Sequence, residues 1–324
     1  MFYNSSVTLR QLRFLREIAR QSLNISNAAA ALHTSQPGVS RQVRLLEREL
    51  GVDLLVRRKN RVLGFTDTGR AVLGVAQKLL NEADNIRLIA EDARNEGGGR
   101  LVVATSHLHA RYTLRGTVKA FSRRHPEVQL QLLQIDADNI FRMVETGEAD
   151  IGISTELGGR RPLLTLLQGD VVRRSVIMPK GHPLARKRGL TLADIARYPI
   201  VGYSPRSRAG QIVGETFRRN GLALRYAVSA NDADVIKTYV GDGLGIAIVP
   251  SLAIDKADAR AIHTADATHL FPHSLMTVSL RRDTYLRRYL TDFVEMVAPA
   301  WSRKEIRRAM NAPDVLEADG IARG

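Results

Sequence analysis

The sequence predicts an α/β chain headed by a small all-α region with a wing, and three observations predict it. A helix-turn-helix pattern over Asn24–Leu50 is followed by a basic hairpin; one proline-free helical stretch runs from Thr66 to about Asn95; and from Leu101 onward short apolar runs alternate with amphipathic helices. The expected order is a winged helix-turn-helix over residues 1–65, a linker helix over 66–96, a hinge at 97–100 and a two-lobed domain over 101–324.

The helix-turn-helix is read from its punctuation. Thr8–Ala19 forms a first helix, with Leu9, Leu12, Phe14, Leu15 and Ile18 apolar and Arg10, Arg13, Arg16 and Arg20 on the wet side. Ile25–Leu32 is an alanine-dense second helix whose small side chains let another helix cross it closely. The third starts at Thr34-Ser35-Gln36-Pro37, where Ser35 can accept a backbone N–H as N-cap and Pro37 sits in the first turn, its missing donor costing least there. It ends at Leu50-Gly51, glycine being free to take the left-handed conformation. Val39, Val43, Leu46 and Leu50 share one stripe, so Gln36, Ser40, Arg41, Arg44 and Arg48 stand on the opposite face. Gln and Arg form bidentate hydrogen bonds with base edges in a major groove, while serines and backbone N–H groups at a helix N-terminus suit phosphate.

An arginine-faced amphipathic helix occurs in many soluble proteins, so the residues that follow decide the reading. Leu54-Leu55-Val56 and Val62-Leu63-Gly64-Phe65 flank Arg57-Arg58-Lys59-Asn60-Arg61, a hairpin with four cations at its tip beside an asparagine suited to a turn. Residues 1–65 hold 11 Lys and Arg against four Asp and Glu, a net of +7 out of +15 for the chain. About a fifth of the length thus carries nearly half of the excess charge, the footprint of a phosphate-binding surface. The residues expected to touch DNA are Ser35, Gln36, Pro37, Ser40, Arg41 and Arg44 on the helix and Arg57 and Arg58 on the wing.

Thr66 caps the long helix, in which Gly69 and Gly74 are the weak points. Val72, Ala76, Leu79, Ala83, Ile86, Ala90 and Ala93 alternate at spacings of four and three, a seam that wants a partner helix and predicts a homodimer. Glu96-Gly97-Gly98-Gly99-Arg100 then breaks the helix as a hinge. Cysteine is absent, which excludes disulfide frameworks and thiolate metal sites. The N-terminus lacks a charged start followed by an apolar core, and no apolar run reaches membrane-spanning length, so a cytoplasmic location without membrane contact is expected.

In the second half, Leu101–Thr105, Val128–Leu132 and Ala149–Ser154 read as strands, with helices at Arg111–Arg123 and Asp138–Thr146 between them. Val171–Pro179 is an extended run that crosses into a second lobe. That lobe holds helices at Leu192–Arg197, Gln211–Asn220 and Asp232–Gly241 and strands at Pro199–Tyr203, Arg225–Val228 and Ile246–Pro250. Leu275–Leu280 returns to the first lobe before a helix at Thr284–Val297. Two similar α/β lobes joined by crossing strands make a periplasmic-binding-protein-like clamp. Ligands of open α/β sheets sit beyond the carboxyl ends of the strands, near helix N-termini that favour anions. The residues expected there are Thr105, Ser106, His109, Thr155, Tyr203, Ser204 and Arg206, a set of hydroxyls with an arginine that suits a small oxyanion. Such hydroxyls also cap helices, which is the competing use of each. His107 and His109 lie two apart, but no HxxxH or cysteine partner supports a metal, and no phosphate-cradling or nucleophile-elbow motif supports an enzyme. No cofactor is expected.

Ala28-Ala29-Ala30-Ala31-Leu32, Thr34-Ser35-Gln36-Pro37-Gly38-Val39-Ser40-Arg41-Gln42-Val43 and Leu46-Glu47 resemble the DNA-binding domain of LysR-type transcriptional regulators. The resemblance continues through Glu49-Leu50-Gly51, Leu55, Arg57 and Thr66-Asp67-Thr68-Gly69, and the layout fits that family over nearly the whole chain. Thr105-Ser106-His107, Ala110-Arg111-Tyr112 and Asp232–Val240 resemble the sulfur-assimilation subgroup of CysB and Cbl, as do Gly243-Leu244-Gly245-Ile246 and the extended C-terminal tail. This implies a homodimer or homotetramer that binds promoter DNA and controls sulfur-acquisition genes through acetylated serine, sulfate or a related anion. The chain departs from the subgroup where Leu108 and His109 replace a hydroxyl residue and Gln, and Arg206 and Arg208 make one loop more basic. Two rival readings are a regulator of another pathway with a different anionic effector and a non-specific architectural DNA-binding protein. The second leaves the clamp without a use.

Overall fold

The computed structural model describes residues 7–58, 61–94, 98–155, 161–282 and 284–312. Lys59 and Asn60 at the wing tip, residues 95–97 around the expected hinge and the tail beyond 312 lie outside the described residues. The chain divides into two compact units, Met1–Glu96 with Asp283–Arg287, and Gly97–Arg282 with Arg288–Gly324.

The first unit contains α1 (Leu9–Arg20), α2 (Ile25–Ala31), α3 (Gln36–Leu50), the hairpin β1 (Leu55–Arg58) and β2 (Arg61–Phe65), and α4 (Asp67–Ala93). Thr8 opens α1 with a reciprocal cap, its hydroxyl accepting from the Gln11 N–H while the Gln11 side chain accepts from its own. Ser35 caps α3 by accepting the Gly38 N–H at 3.2 Å. Between α2 and α3 the turn passes through His33 at φ 49°, and α3 ends on Gly51 at φ 69°. Leu15, Ile18, Ala28, Val39, Val43, Leu46, Leu54, Ala76 and Leu80 form the core of this unit. Gly69, a weak point for a helix, is required: a Cβ there would lie 2.0 Å from the Leu54 carbonyl oxygen. The same strand entry receives the Thr66 N–H on the Leu54 carbonyl at 3.0 Å, which pins α4 to the wing.

The second unit is built of two lobes with one pattern. In the first lobe, β3 (Gly99–Thr105), β4 (Val128–Gln134) and β5 (Ile151–Ser154) are parallel, with α5 (Leu114–Arg124) and α6 (Ala137–Thr146) as crossovers. β6 (Leu164–Val172) is the edge strand, and the sheet order is β4-β3-β5-β12-β6, where β12 (Ser274–Arg281) is antiparallel to its neighbours. The second lobe holds β7 (Arg174–Pro179), α7 (Leu192–Ala196), β8 (Ile200–Tyr203), α8 (Arg208–Arg219), β9 (Tyr226–Ala230), α9 (Ala233–Gly241), β10 (Ala247–Pro250) and β11 (Ile262–Asp266). A parallel bridge from Ile200 to Ile246 joins β9-β8 to β10-β7-β11. Each lobe is therefore a parallel trio, an antiparallel strand received from the other lobe, and an edge strand that leaves for it.

At the crossings, Arg174 donates to the Pro272 carbonyl at 3.1 Å and to the Ser274 hydroxyl at 3.0 Å, stapling the outgoing strand to the returning one. The crossing was expected as one run over Val171–Pro179; the structure divides it at Arg173 and adds β6 and β11, which the alternation did not show. α11 (Arg303–Asn311) was also unforeseen, since only Ile306 and Met310 of it are buried. Asp292 on α10 (Arg288–Val297) is 1% exposed and takes Arg124, His125 and Arg303 from the ends of α5 and α11. α10 starts four residues later than its expected first residue, Thr284. The segment before it is held extended in the first unit, where Tyr285 donates its N–H to Asn85 at 2.7 Å and its hydroxyl to Asp92 at 2.8 Å. Arg287 pairs with Glu91 there. Among the described residues no helix is long and apolar enough to cross a membrane.

One expected surface is corrected. Val72 and Ala76 of the seam are turned into the core of their own unit, because α1 packs against the first turns of α4. The apolar side chains left outside are Val75, Leu79, Ile86 and Ile89, exposed by 60%, 49%, 70% and 48%. Four large side chains on one helix face predict cover by a second copy. Leu79→Glu combined with Ile86→Glu should weaken self-association by at least about a hundredfold, since each carboxylate would have to be desolvated. Sedimentation of the double variant as an undisturbed dimer would assign the pairing elsewhere.

Candidate functional site

The outer face of α3 is open to a macromolecule. Ser35, Gln36, Pro37, Arg41, Arg44 and Arg48 are exposed and Ser40 is half-buried. A groove of about 830 Å³ runs between this face and the Gly51–Asp53 turn, lined by Pro37, Ser40, Arg41, Arg44, Arg48 and Arg57 among others. Arg58 stands exposed on the wing. Arg57 is occupied otherwise: its two terminal nitrogens lie 2.9 Å from the two Glu47 oxygens. Glu47 is 6% exposed and also accepts the Leu54 and Leu55 N–H groups at 2.9 and 3.1 Å. Burial pushes its carboxyl up, but Arg57 and the two backbone donors outweigh burial and hold it below the usual carboxylate range. Arg57 therefore indexes the wing to the reading helix instead of standing free for phosphate.

The expected cleft residues fall into three groups. Thr105 is fully buried in β3 and donates its hydroxyl to the Ile153 carbonyl at 3.0 Å, so it staples two strands and leaves the ligand set. Ser106, His109 and Thr155 come together at the carboxyl ends of the adjacent parallel strands β3 and β5. The His109 ring is fully buried in a single π-helical turn, His109–Thr113, ahead of α5. Its Nε2 lies 2.8 Å from the Thr155 hydroxyl and its Nδ1 2.9 Å from that of Thr113, while its backbone N–H donates to the Ser106 hydroxyl at 3.5 Å. Burial pushes the imidazole down to about 4, so the ring is neutral near pH 7. Tyr203 and Ser204 sit at the end of β8 in the second lobe, half-buried. Arg206 is exposed, and only its backbone N–H reaches Ser204, at 3.4 Å; its guanidinium does not join the hydroxyls of the first lobe.

The residues that join the lobes were not singled out as site residues. Asp234 at the start of α9 receives Tyr112 (2.6 Å), Arg111 (2.9 Å) and His107 (3.2 Å) from the first lobe. Lys237, one turn on, lies 3.3 Å from Asp234, 3.0 Å from the Tyr112 hydroxyl and 2.8 Å from Asp258. Burial would raise the Asp234 carboxyl, but the hydrogen bonds from Tyr112 and His107 and the Lys237 charge hold it low. Burial would lower the Lys237 ammonium, but Asp258 and Tyr112 hold it high. Tyr203 nearby is pushed up by burial and by the Asp232 charge, and stays a neutral donor. His107, Asp232 and Asp234 offer three ligand atoms within 4.8 Å of one another. A metal there would meet the fixed charges of Arg111 and Lys237, which already neutralise Asp234.

Two family models match the chain: the bacterial regulatory helix-turn-helix protein, lysR family, over residues 9–70, and the LysR substrate binding domain over residues 94–302. The chain is 40% identical over 300 residues to the HTH-type transcriptional regulator SsuR of Burkholderia cenocepacia, covering 93% of this chain and 97% of that protein. It is 37% identical over 313 residues to the HTH-type transcriptional regulator cbl of Klebsiella aerogenes, covering 97% and 99%. The crystal structure of the cofactor-binding domain of the Cbl transcriptional regulator superimposes with a TM-score of 0.62 at 34% identity, over 66% of this chain and 95% of that one.

The neutral His109 makes stability depend on pH with a defined sign. Its folded value lies below its unfolded value of about 6.5, so the unfolded chain binds the proton first and stability falls as pH drops from about 6.5 toward about 4. Between pH 7 and pH 5 the group should remove about 2 kcal/mol. Urea denaturation of wild type and His109→Gln at both pH values checks this: the wild type should lose more, and equal losses would mean that the imidazole is not held neutral.

Proposed function

This chain belongs to the LysR family of helix-turn-helix transcriptional regulators, and from that premise we propose that it controls sulfur-assimilation or organosulfur-use genes in response to a small oxyanion. The observation that carries the regulator reading is the open α3 face beside a wing fixed by Glu47 and Arg57. In it Gln36, Arg41 and Arg44 are the base-reading side chains, and Ser35, Pro37, Ser40 and Arg58 keep to the sugar-phosphate backbone. The winged unit acts as the reader, α4 as the pairing element of a dimer or tetramer, and the two-lobed unit as the sensor. Support for sulfur comes from the segments that resemble the CysB and Cbl subgroup and from the match to cbl over 97% of the chain. The effector set is Ser106, His109 and Thr155 with Tyr203 and Ser204 opposite, in a cytoplasmic protein whose work is binding and not catalysis.

Two measurements test this reading. Gln36→Ala and Arg44→Ala should each lose about 1–3 kcal/mol on the specific promoter, while Arg58→Ala should weaken all sequences alike and flatten the salt dependence. Unchanged affinity and selectivity for Gln36→Ala on its promoter would remove the base-contact assignment. For the effector, calorimetry with acetylated serine, sulfate and alkyl sulfonates should give binding that Thr155→Ala reduces by about tenfold without altering uninduced DNA affinity. Absence of binding by every one of these anions would end the sulfur assignment and leave the regulator reading standing.

A further inference from the structure

Three hydroxyls surround His109, and their protons cannot be placed independently. A neutral imidazole has one N–H and one acceptor nitrogen, so the hydroxyls of Thr113 and Thr155 must play opposite roles toward it. In the turn that holds Thr113, the His109 carbonyl already accepts the Leu114 N–H. Among the described residues the Thr113 hydroxyl meets one acceptor, Nδ1 at 2.9 Å. With Nδ1 accepting, the ring proton sits on Nε2 and is donated to Thr155 at 2.8 Å. The backbone N–H of the same residue is donated to Ser106. Each of these hydroxyls thus receives one N–H from His109 on one of its lone pairs, which leaves its own proton free to turn into the cleft. Both residues are half-buried, open to a ligand or to water.

We infer that Thr113 and His109 set the polarity of the effector site: Thr113 fixes the ring proton on Nε2, and His109 in turn leaves the hydroxyl protons of Thr155 and Ser106 free for the cleft, so that the site favours a deprotonated oxyanion over a group that offers only protons, such as an ammonium. The inference rests on the reading of this cleft as the effector site and adds its selectivity. In the opposite tautomer Thr155 would donate to the ring and show the cleft only lone pairs, which suits an ammonium or a hydroxyl. One ring proton thus decides the class of ligand. Thr113 makes this choice through His109 and is a positioning residue, not a ligand contact.

The test uses the full chain labelled with ¹⁵N-histidine, with sodium sulfate and methanesulfonate as probes. Long-range ¹H–¹⁵N spectra should show His109 protonated on Nε2, with Nδ1 as an acceptor. Thr113→Val should weaken binding of both anions by about tenfold, the effect of one neutral hydrogen bond, while Thr113→Ser restores it and the melting temperature of each variant stays near that of wild type. A ring proton on Nδ1, or wild-type anion affinity in Thr113→Val, would overturn the relay while sulfate binding by wild type upholds the effector site. A wild type that binds neither anion would overturn the oxyanion reading, and the relay with it.

Discussion

The arrangement of the sensor depends on one partly buried carboxylate. Asp234 belongs to α9 in the second lobe, yet His107, Arg111 and Tyr112 of the first lobe all reach it. Lys237 behind it is 7% exposed and divides its charge between Asp234 and Asp258. Losing Asp234 would leave the buried Lys237 ammonium with one carboxylate in place of two, which is the costly step, while the more exposed His107 and Arg111 would return to water. The two lobes therefore hold one spacing at this edge of the cleft, and a ligand that changes that spacing must work against a network of six groups. The same carboxylate keeps Tyr112 and the start of α5 in place, next to the turn that carries His109.

The reader uses the same device on a smaller scale. Glu47 faces inward from the reading helix and gathers two backbone N–H groups and Arg57 from the wing. Being buried, this pair is screened little by salt, whereas the exposed Arg41, Arg44 and Arg58 are screened strongly. Raising ionic strength thus weakens contact with phosphate without loosening the geometry that aims at it. In both units a single acidic side chain fixes a part that the backbone alone would leave free.

How much of this was legible in the sequence follows from range. The caps at Thr8, Ser35 and Thr66 and the stop at Gly51 act within three or four residues, and each helix they bound was read correctly. The length of α4 was legible for the same reason, and Leu79 and Ile86 of its expected seam do stand outside, but the inward turn of Val72 and Ala76 was not legible. The four-three repeat runs through Val72, Ala76 and Leu79 alike, and only the packing of α1 decides that its first two members are covered. The Asp234 hub was illegible because Tyr112 lies 122 residues away in sequence and His107 lies 127 away. Thr105 looked like a ligand because alternation gives the face of a strand residue but not what its hydroxyl meets across the sheet. β11 was missed because His263, Thr264 and Asp266 interrupt its apolar pattern, and α11 because two buried residues in nine make a faint stripe.

The exchange of strands between the lobes has a consequence for how the chain is made. β12 lies inside the first-lobe sheet, between β5 and β6, yet it is the last strand among the described residues. On the ribosome, β3 to β6 emerge first and must wait for more than a hundred further residues before residues 274–281 fill the gap. All the strands of the second lobe, β7 to β11, are complete by then. The later half of the sensor can thus close its sheet during translation, while the earlier half keeps two unpaired strand edges, the kind of surface that pairs with the wrong chain. Nascent chains released before residue 281 would carry that open sheet. Synthesis rate and chaperone capture over this interval would then decide the yield of native protein.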